Sequence, residues 1–456
     1  MHTRYLSSLV RFGTTLLAGG LLLRLLVRVF PTGSISPVGT HFKGALGDIA
    51  THAFISAAAI TGRGLALALP LALLFGLVAG LRPGSLPDRL LLAPLGLLAG
   101  IPALPAALVI VCALTIDLKW LDVSGAVYLA LGIALWPWLT LAIRNAVAAL
   151  AAEGAEIHPV RAATAVVGAV LSQAGNVALG SLAVGVYLVP DNGMLRMLEL
   201  ASRLADPVLL YTLLAPTMLL VALVHLAGDL LTALAGGAAR APRPLSRAAV
   251  LLGALLFAAG LFSLRFDMYA FGNTWLIALG ALAVAALGGL ALAVPGPVAA
   301  RPGLPSLIAP VIAGLVFPVL FETTLLVQMA AIGLGCAPTL AGPIRRMLDS
   351  AGPGRATALA GAGLLTLGQA VAAQITLGIM NLGLPTTLPT LGRLVRTSLL
   401  ANPAAQRYGP VLPALAATAG LFLLGLALQD RAGDEPLPAA DPAPPDATEA
   451  DEQALA

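Results

Sequence analysis

The chain has little charge, few aromatic side chains and very little lysine or cysteine. Of its 456 residues, 10% are charged and 59% are hydrophobic. A soluble globular domain carries about 25% charged residues. This chain has too few charged residues to cover a surface that faces water, so a soluble globular protein is excluded. A bilayer-spanning helix needs roughly 20 apolar residues, which leaves room for about a dozen such helices joined by short loops. We therefore predict an all-α polytopic membrane protein.

The scarce residue types exclude several classes of site. Cys112 and Cys336 both lie in apolar runs, which excludes a disulfide scaffold and a cysteine-based metal site. Aromatic residues, at 5%, are too few for stacking on nucleic acid. Neither Lys43 nor Lys119 follows a glycine, so a phosphate-binding P-loop is absent and any ATP would bind to another chain. We expect that the chain is not an enzyme and that it binds neither a cofactor nor a metal ion.

Apolar runs bounded by charges or by Pro and Gly clusters predict about twelve transmembrane helices. They are too long and too uniformly apolar for the strands of a β-barrel. The run 305–342 is either one long hairpin or two short spans, with Glu322 as an outer turn or as an intramembrane carboxylate. The predicted spans are 9–30, 60–81, 90–114, 123–143, 161–188, 208–235, 247–264, 273–295, 305–321, 324–342, 358–382 and 409–428.

The placement of basic residues predicts that both termini are cytoplasmic. With the N-terminus inside, 14 of the 25 Lys and Arg residues fall in cytoplasmic segments, and five of the others lie in 189–207 and 383–408. Those two segments are predicted to be short amphipathic helices, so N-inside is the better orientation under the positive-inside rule. The end of the chain, 431–456, is acidic and rich in Pro and Ala, and we predict that it is disordered.

The chain also repeats its pattern at a spacing of about 200 residues, the usual sign of an internal duplication. Arg82-Pro-Gly-Ser-Leu-Pro and Arg301-Pro-Gly-Leu-Pro each lead into a proline-containing span. A cytoplasmic segment, an amide-bearing span, an amphipathic segment and a last span follow in each half. An even number of spans per half predicts two parallel six-helix repeats, 1–240 and 241–430, here called the first and second halves. A pathway between such halves is common in transporters.

These features resemble the inner-membrane permease subunits of ATP-binding-cassette (ABC) importers of the dipeptide, oligopeptide and nickel type. The resemblance covers about residues 9–430, as if two type I permease subunits were fused head to tail. It is carried by Arg28-Val-Phe-Pro31, Gly84-Ser-Leu-Pro-Asp-Arg89, Asp206-Pro-Val, His225-Leu-Ala-Gly-Asp229, Leu391-Gly-Arg-Leu-Val-Arg and Ala401-Asn-Pro. The resemblance implies a bacterial inner-membrane protein with cytoplasmic ABC ATPase subunits and an external solute-binding protein as partners.

The resemblance further implies two cytoplasmic loops that couple the permease to the ATPase. The family's acidic signature residue is replaced by Ala148 in the first loop and by Arg346 in the second. The second loop also contains Gly352-Pro353-Gly354, and because Gly and Pro both oppose helix formation, we expect its docking helix to be truncated. The candidate coupling residues are Glu153, Gly154, Glu156, Arg345, Arg346, Gly352 and Arg355.

Amide side chains within the apolar runs are the candidates for the substrate pathway. An unsatisfied polar group in lipid costs several kcal/mol, so each amide must find a partner. They either line the path between the halves or form interhelical hydrogen bonds worth about 0.6–2 kcal/mol. The candidates are Gln173, Asn176, Gln369, Gln374 and Asn381.

Two other functions remain open at this stage. An ion-coupled secondary transporter would also have about twelve spans, and Asp88-Arg89 is loosely similar to a loop of major-facilitator carriers. Such a carrier would need more membrane-embedded carboxylates than Glu322 alone. A membrane assembly protein descended from a permease would explain the altered coupling loops. The predicted function is the permease of an ABC importer for a small solute such as a peptide.

Overall fold

All regular structure in the described part of the chain is helical. The structure is a computed structural model, and it describes residues 46–151, 158–174, 177, 198, 201, 207–235, 247–293, 307–321, 324–349, 353–385, 387–401 and 407–434. The helices are α1 (Leu46–Leu81), α2 (Leu86–Ala99), α3 (Ala103–Cys112), α4 (Val123–Ala151), α5 (Pro159–Leu171), α6 (Pro207–Ala235), α7 (Arg247–Gly260), α8 (Met268–Ala293), α9 (Ile308–Leu320), α10 (Leu325–Asp349), α11 (Pro353–Ile379), α12 (Leu391–Ala401) and α13 (Val411–Asp434). A π-helical turn (Ala113–Asp117) extends α3, and a 3₁₀ turn (Leu261–Arg265) extends α7.

Within the described residues, six stretches of helix are long and apolar enough to cross a membrane. This confirms the prediction of a multi-pass helical membrane protein. The six stretches are Ala58–Leu81, Gly125–Ala151, Met268–Ala293, Leu325–Leu348, Gly354–Ile379 and Val411–Gln429.

One predicted span is broken and another region is divided. The span predicted at 90–114 is interrupted after α2, where Pro102 caps the start of α3. Proline disfavours the helical conformation of the residue before it, here Ile101, so the helix cannot run through. The run 305–342 forms two helices, α9 and α10, while Glu322 lies outside the described residues.

Several other predictions concern segments that the structure describes only in part. The predicted amphipathic segment 383–408 contains the short helix α12. Helix α13 continues to Asp434, so the first residues assigned to a disordered tail are helical. The prediction of disorder is wrong for residues 431–434, because the few charges after Gln429 do not by themselves end a helix. The span predicted at 9–30, residues 175, 176 and 178–188 of the span predicted at 161–188, and most of the predicted amphipathic segment 189–207 lie outside the described residues.

Glycines let the long helices approach closely. A Cβ atom at Gly132 of α4 would lie 2.9 Å from Leu67 Cβ of α1, and one at Gly333 of α10 would lie 2.6 Å from the Ala281 carbonyl oxygen of α8. Small residues at such contacts allow the backbones of membrane helices to pack directly. Thus α1 packs along α4 in the first half, and α8 packs along α10 in the second.

A second kind of glycine contact joins the later helices of each half. A Cβ at Gly168 of α5 would lie 2.9 Å from the Gly228 carbonyl oxygen of α6. A Cβ at Gly361 of α11 would lie 2.8 Å from the Gly425 carbonyl oxygen of α13. Helix α5 therefore crosses α6, and α11 crosses α13, with the two backbones in direct contact.

Buried apolar clusters connect the two halves. One cluster joins Leu108 and Cys112 of α3 to Val395 and Leu399 of α12. Another joins α2 and α4 of the first half to α11 and α13 of the second: Leu92, Leu95, Ala99, Trp138, Leu141, Leu365, Phe422 and Leu426. Among the described residues, the contacts between the halves therefore include these two seams.

Candidate functional site at the interface of the halves

Aromatic and aliphatic side chains form the central seam between the halves. Trp138 of α4 packs edge-on against Phe422 of α13, with ring centroids 5.5 Å apart. Edge-to-face pairs of this kind add about 0.5–1.5 kcal/mol beyond the area that they bury. Gly100 lies beside this pair, and a Cβ there would lie 2.8 Å from both Ala419 Cα and Phe422 Cβ. The first half therefore contacts α13 through backbone as well as side chains.

A small pocket lies in this seam. Its walls come from both halves, and it encloses about 10 Å³, roughly the space that one water molecule occupies. The lining residues are Ala99, Gly100, Trp138, Leu307, Gly368, Gln369, Ala372, Thr418 and Phe422. No solute larger than a water molecule fits in this pocket.

Gln369 is the amide in a largely apolar pocket whose lining also includes Thr418. Its side chain is 4% exposed, and its amide oxygen accepts a 2.9 Å hydrogen bond from the Thr339 hydroxyl of α10. The bond fixes the amide where α10 and α11 meet, with the rest of the side chain at the wall between the halves. Of the predicted pathway amides in the described part, Gln369 is the one among the pocket-lining residues.

The other predicted amides occupy different places. Gln173 is buried just after α5, and Gln374 is buried in α11, 1% exposed. Asn381 follows α11 with a φ of 57°, a left-handed conformation that asparagine tolerates better than most residues. Its position is that of a turn residue. Asn176 lies outside the described residues.

Gln328 of α10 is a buried amide that the sequence analysis missed. It is 0% exposed, and neither of its amide atoms has a hydrogen-bond partner in the structure. It faces Gly383, whose φ is 89° and where a Cβ would lie 2.9 Å from Gln328 Nε2. Arg393 holds the adjacent turn by donating to the carbonyl oxygen of Leu384 at 2.6 Å. The sequence signal was an amide inside the apolar run after Glu322.

A buried ion pair, also missed, joins α2 to α4. Arg144 Nε lies 2.9 Å from Asp88 Oδ1, and Arg144 Nη2 lies 2.6 Å from Asp88 Oδ2. The side chains are 1% and 0% exposed. Asp88 Oδ2 also accepts a 2.8 Å hydrogen bond from the Gly84 amide, whose φ of 82° favours glycine. One carboxylate therefore organises the Pro-Gly loop, α2 and α4 together.

The candidate coupling residues lie at helix ends where they are described. Arg345 and Arg346 are near the end of α10, and Arg355 is near the start of α11. Only residues 350–352 separate the two helices, fewer than one α-helical turn. A separate docking helix therefore does not fit between α10 and α11. Glu153, Gly154, Glu156 and Gly352 lie outside the described residues.

No group of three or more His, Cys, Asp or Glu residues that could hold a metal ion occurs among the described residues. Comparisons with models of protein families, with curated proteins and with solved structures found no match for this chain.

Proposed function

We propose that this chain is the permease of an ABC importer, with its translocation path between the two halves. The observation that carries the proposal is the seam pocket, where Gln369 lies in a wall built from both halves. Separate ATPase subunits on the cytoplasmic side hydrolyse ATP, and an external binding protein delivers a small solute such as a peptide. The chain lies in a bacterial inner membrane with both termini inside.

The helix packing supports the proposed two-repeat, twelve-helix architecture. The pairing of α1 with α4 in the first half corresponds to that of α8 with α10 in the second. The backbone crossing at Gly168 and Gly228 likewise corresponds to that at Gly361 and Gly425. The corresponding pairs occur in the same order along the chain, as parallel repeats require.

The buried charges favour an external energy source over ion coupling. In the described part, Asp88 is the acidic residue that is fully buried. It lies just before the span predicted at 90–114, and its carboxylate is bonded to Arg144 through both oxygens. A proton- or sodium-coupled carrier needs a membrane carboxylate that can change its charge or its ligand. A carboxylate held between a guanidinium and a backbone amide is poorly suited to that role.

Affinity purification in mild detergent tests for the ATPase partner. We expect ATPase chains to copurify, and we expect the variant Arg346→Glu to lose much of this association because Arg346 is exposed at the proposed docking end. The matched control is Arg265→Glu, which reverses an exposed charge at the predicted outer end. Purification without any ATPase, or equal loss in both variants, would contradict the proposed partnership.

The Gln369→Ala variant tests the path itself. If Gln369 lines the path, ATP-dependent uptake per folded molecule falls in Gln369→Ala, whatever the loss of the hydrogen bond to Thr339 does to the folded amount. Thr339→Val is the control, because it removes the hydrogen bond to Gln369 and leaves the amide in the pocket. If the amide serves packing alone, worth about 0.6–2 kcal/mol, both variants lower the folded amount and uptake per folded molecule stays constant.

A further inference from the structure

One carboxylate of the first half is bonded to two consecutive residues of the second half. Asp117 Oδ1 lies 2.7 Å from Arg407 Nη1, and Asp117 Oδ2 accepts a 2.5 Å hydrogen bond from the Tyr408 hydroxyl. About 290 residues of sequence separate the partners, so the contact is purely tertiary. We call this three-residue cluster the interhalf clasp.

The local backbone presents the clasp residues to each other. Asp117 is the last residue of the π-helical turn after α3, and the chain reverses immediately after it at Lys119, whose φ is 54°. The Leu118 amide donates to the Ala113 carbonyl at 2.8 Å, and the Trp120 amide donates to the Leu114 carbonyl at 2.9 Å. These bonds fix the reversal, so the carboxylate is held at the helix end facing the second half.

The other two residues are held at the start of α13. The Tyr408 carbonyl accepts a 3.0 Å hydrogen bond from the Leu412 amide in the first turn of α13. A movement of α13 relative to α3 therefore acts directly on Arg407 and Tyr408. The clasp bonds can therefore form only while α3 and α13 stay close together.

The clasp is partly shielded from water but not sealed. The Arg407 side chain is 8% exposed and that of Asp117 is 22% exposed. Burial and the hydrogen bond that it donates to Asp117 raise the pKa of Tyr408 to about 12, so its hydroxyl remains a proton donor at working pH. Charge-assisted bonds of this kind are strong for their size, yet solvent can replace them when the halves separate.

The clasp continues the apolar seam between α3 and α12. Cys112 is the last residue of α3, directly before the π-helical turn. Its thiol lies 3.9 Å from the Leu399 carbonyl oxygen. Leu108 and Cys112 share a buried cluster with Val395 and Leu399. The contact between the halves on this side is therefore apolar at depth and polar at its rim.

We propose that the interhalf clasp is a latch that keeps the path closed on the predicted outer side and opens during each transport cycle. This inference rests on the proposed function. A path between two halves must open to each side in turn, and on this side opening requires α3 and α13 to separate. The seam pocket, closed to anything larger than water, agrees with a latched state.

A thiol reporter in the seam pocket tests the latch without a transported solute. Thr418 lines the pocket, so Thr418→Cys is introduced in a Cys112→Ser, Cys336→Ala background, which removes both native thiols. Labelling by a membrane-impermeant maleimide added outside should be slow. With Asp117→Asn added, we expect labelling to be about tenfold faster, as the open state gains population.

The control is Asp267→Asn on the same predicted side. Asp267 accepts a 2.9 Å hydrogen bond from the Ala270 amide within its own helix start, and asparagine caps helices about as well as aspartate. Its labelling rate should equal that of the background. Equal rates in the Asp117→Asn and background proteins, or faster labelling in both variants, would overturn the latch.

Cross-linking separates failure of the latch from failure of the proposed function. Asp117→Cys and Arg407→Cys, in the same background but with Thr418 retained, are joined by a short bis-methanethiosulfonate reagent. Each cysteine thiolate forms a disulfide with the reagent and displaces methanesulfinate, and a reductant later cleaves both disulfides. We expect uptake to stop on cross-linking and to return on cleavage. Uptake that continues after cross-linking contradicts the latch, whereas absence of ATP-driven uptake in the uncross-linked background, with the labelling difference intact, contradicts the transport function alone.

Discussion

Replacing Arg144 by methionine is expected to leave little folded protein. The substitution leaves the Asp88 carboxylate, 0% exposed, buried without its guanidinium partner. Removing one member of a buried ion pair costs about 3–5 kcal/mol because the remaining charge is uncompensated. That is a large fraction of the total stability of a typical domain, about 5–15 kcal/mol. Fluorescence-detected size exclusion after a heating series in detergent measures the folded fraction.

Two variants make this test specific. Arg89→Met removes an exposed arginine next to Asp88 and should leave the melting temperature nearly unchanged. The double variant Asp88→Leu, Arg144→Met removes both charges and should recover most of the loss, since apolar replacements of buried pairs are often neutral. If Arg144→Met melts at the same temperature as Arg89→Met, the pair does not hold α2 against α4.

The second large effect is expected at Gly361, where α11 crosses α13. A Cβ there would lie 2.8 Å from the Gly425 carbonyl oxygen and 3.0 Å from both the backbone nitrogen and the Cγ atom of Gln429. Two of these three atoms belong to the backbone and cannot rotate away, so Gly361→Ala forces the helices apart, and overpacking typically costs about 1–3 kcal/mol. Chemical denaturation followed by intrinsic fluorescence in detergent measures the change.

Gly363 provides a matched control on the same helix. Nothing lies within 4 Å of a Cβ at Gly363, and alanine is the better helix former by about 1 kcal/mol. Gly363→Ala should therefore be neutral or stabilising. Gly168→Ala in the first half should resemble Gly361→Ala, because its Cβ would lie 2.9 Å from the Gly228 carbonyl oxygen. Equal stabilities of the Gly361→Ala and Gly363→Ala proteins would refute the close crossing.

The helical class and most helix positions could be predicted because apolar runs long enough to span a bilayer have few other uses. Boundaries were less accurate where local sequence and tertiary packing compete. The span predicted to end at 342 continues in α10 to Asp349, because charged residues such as Arg345 can extend a helix beyond the membrane. The break at Pro102 was missed because the apolar run continues on both sides.

The sequence predicted one residue of the candidate site, Gln369, but not the residues that surround it. Gln369 could be selected because an amide inside an apolar span needs a partner. That the partner is Thr339, and that Asp88 pairs with Arg144, depends on which helices become neighbours. Such contacts join residues 30 and 56 positions apart, and no local pattern specifies them.

ATP-driven uptake is the most direct test of the proposed function. Membrane vesicles that contain the chain and its copurifying ATPase are loaded with ATP, and a labelled peptide mixture is added outside with the solute-binding protein. We expect uptake that requires internal ATP and persists when ionophores collapse the proton and sodium gradients. Uptake that stops with the ionophores and does not depend on ATP would contradict the proposed function and identify an ion-coupled carrier.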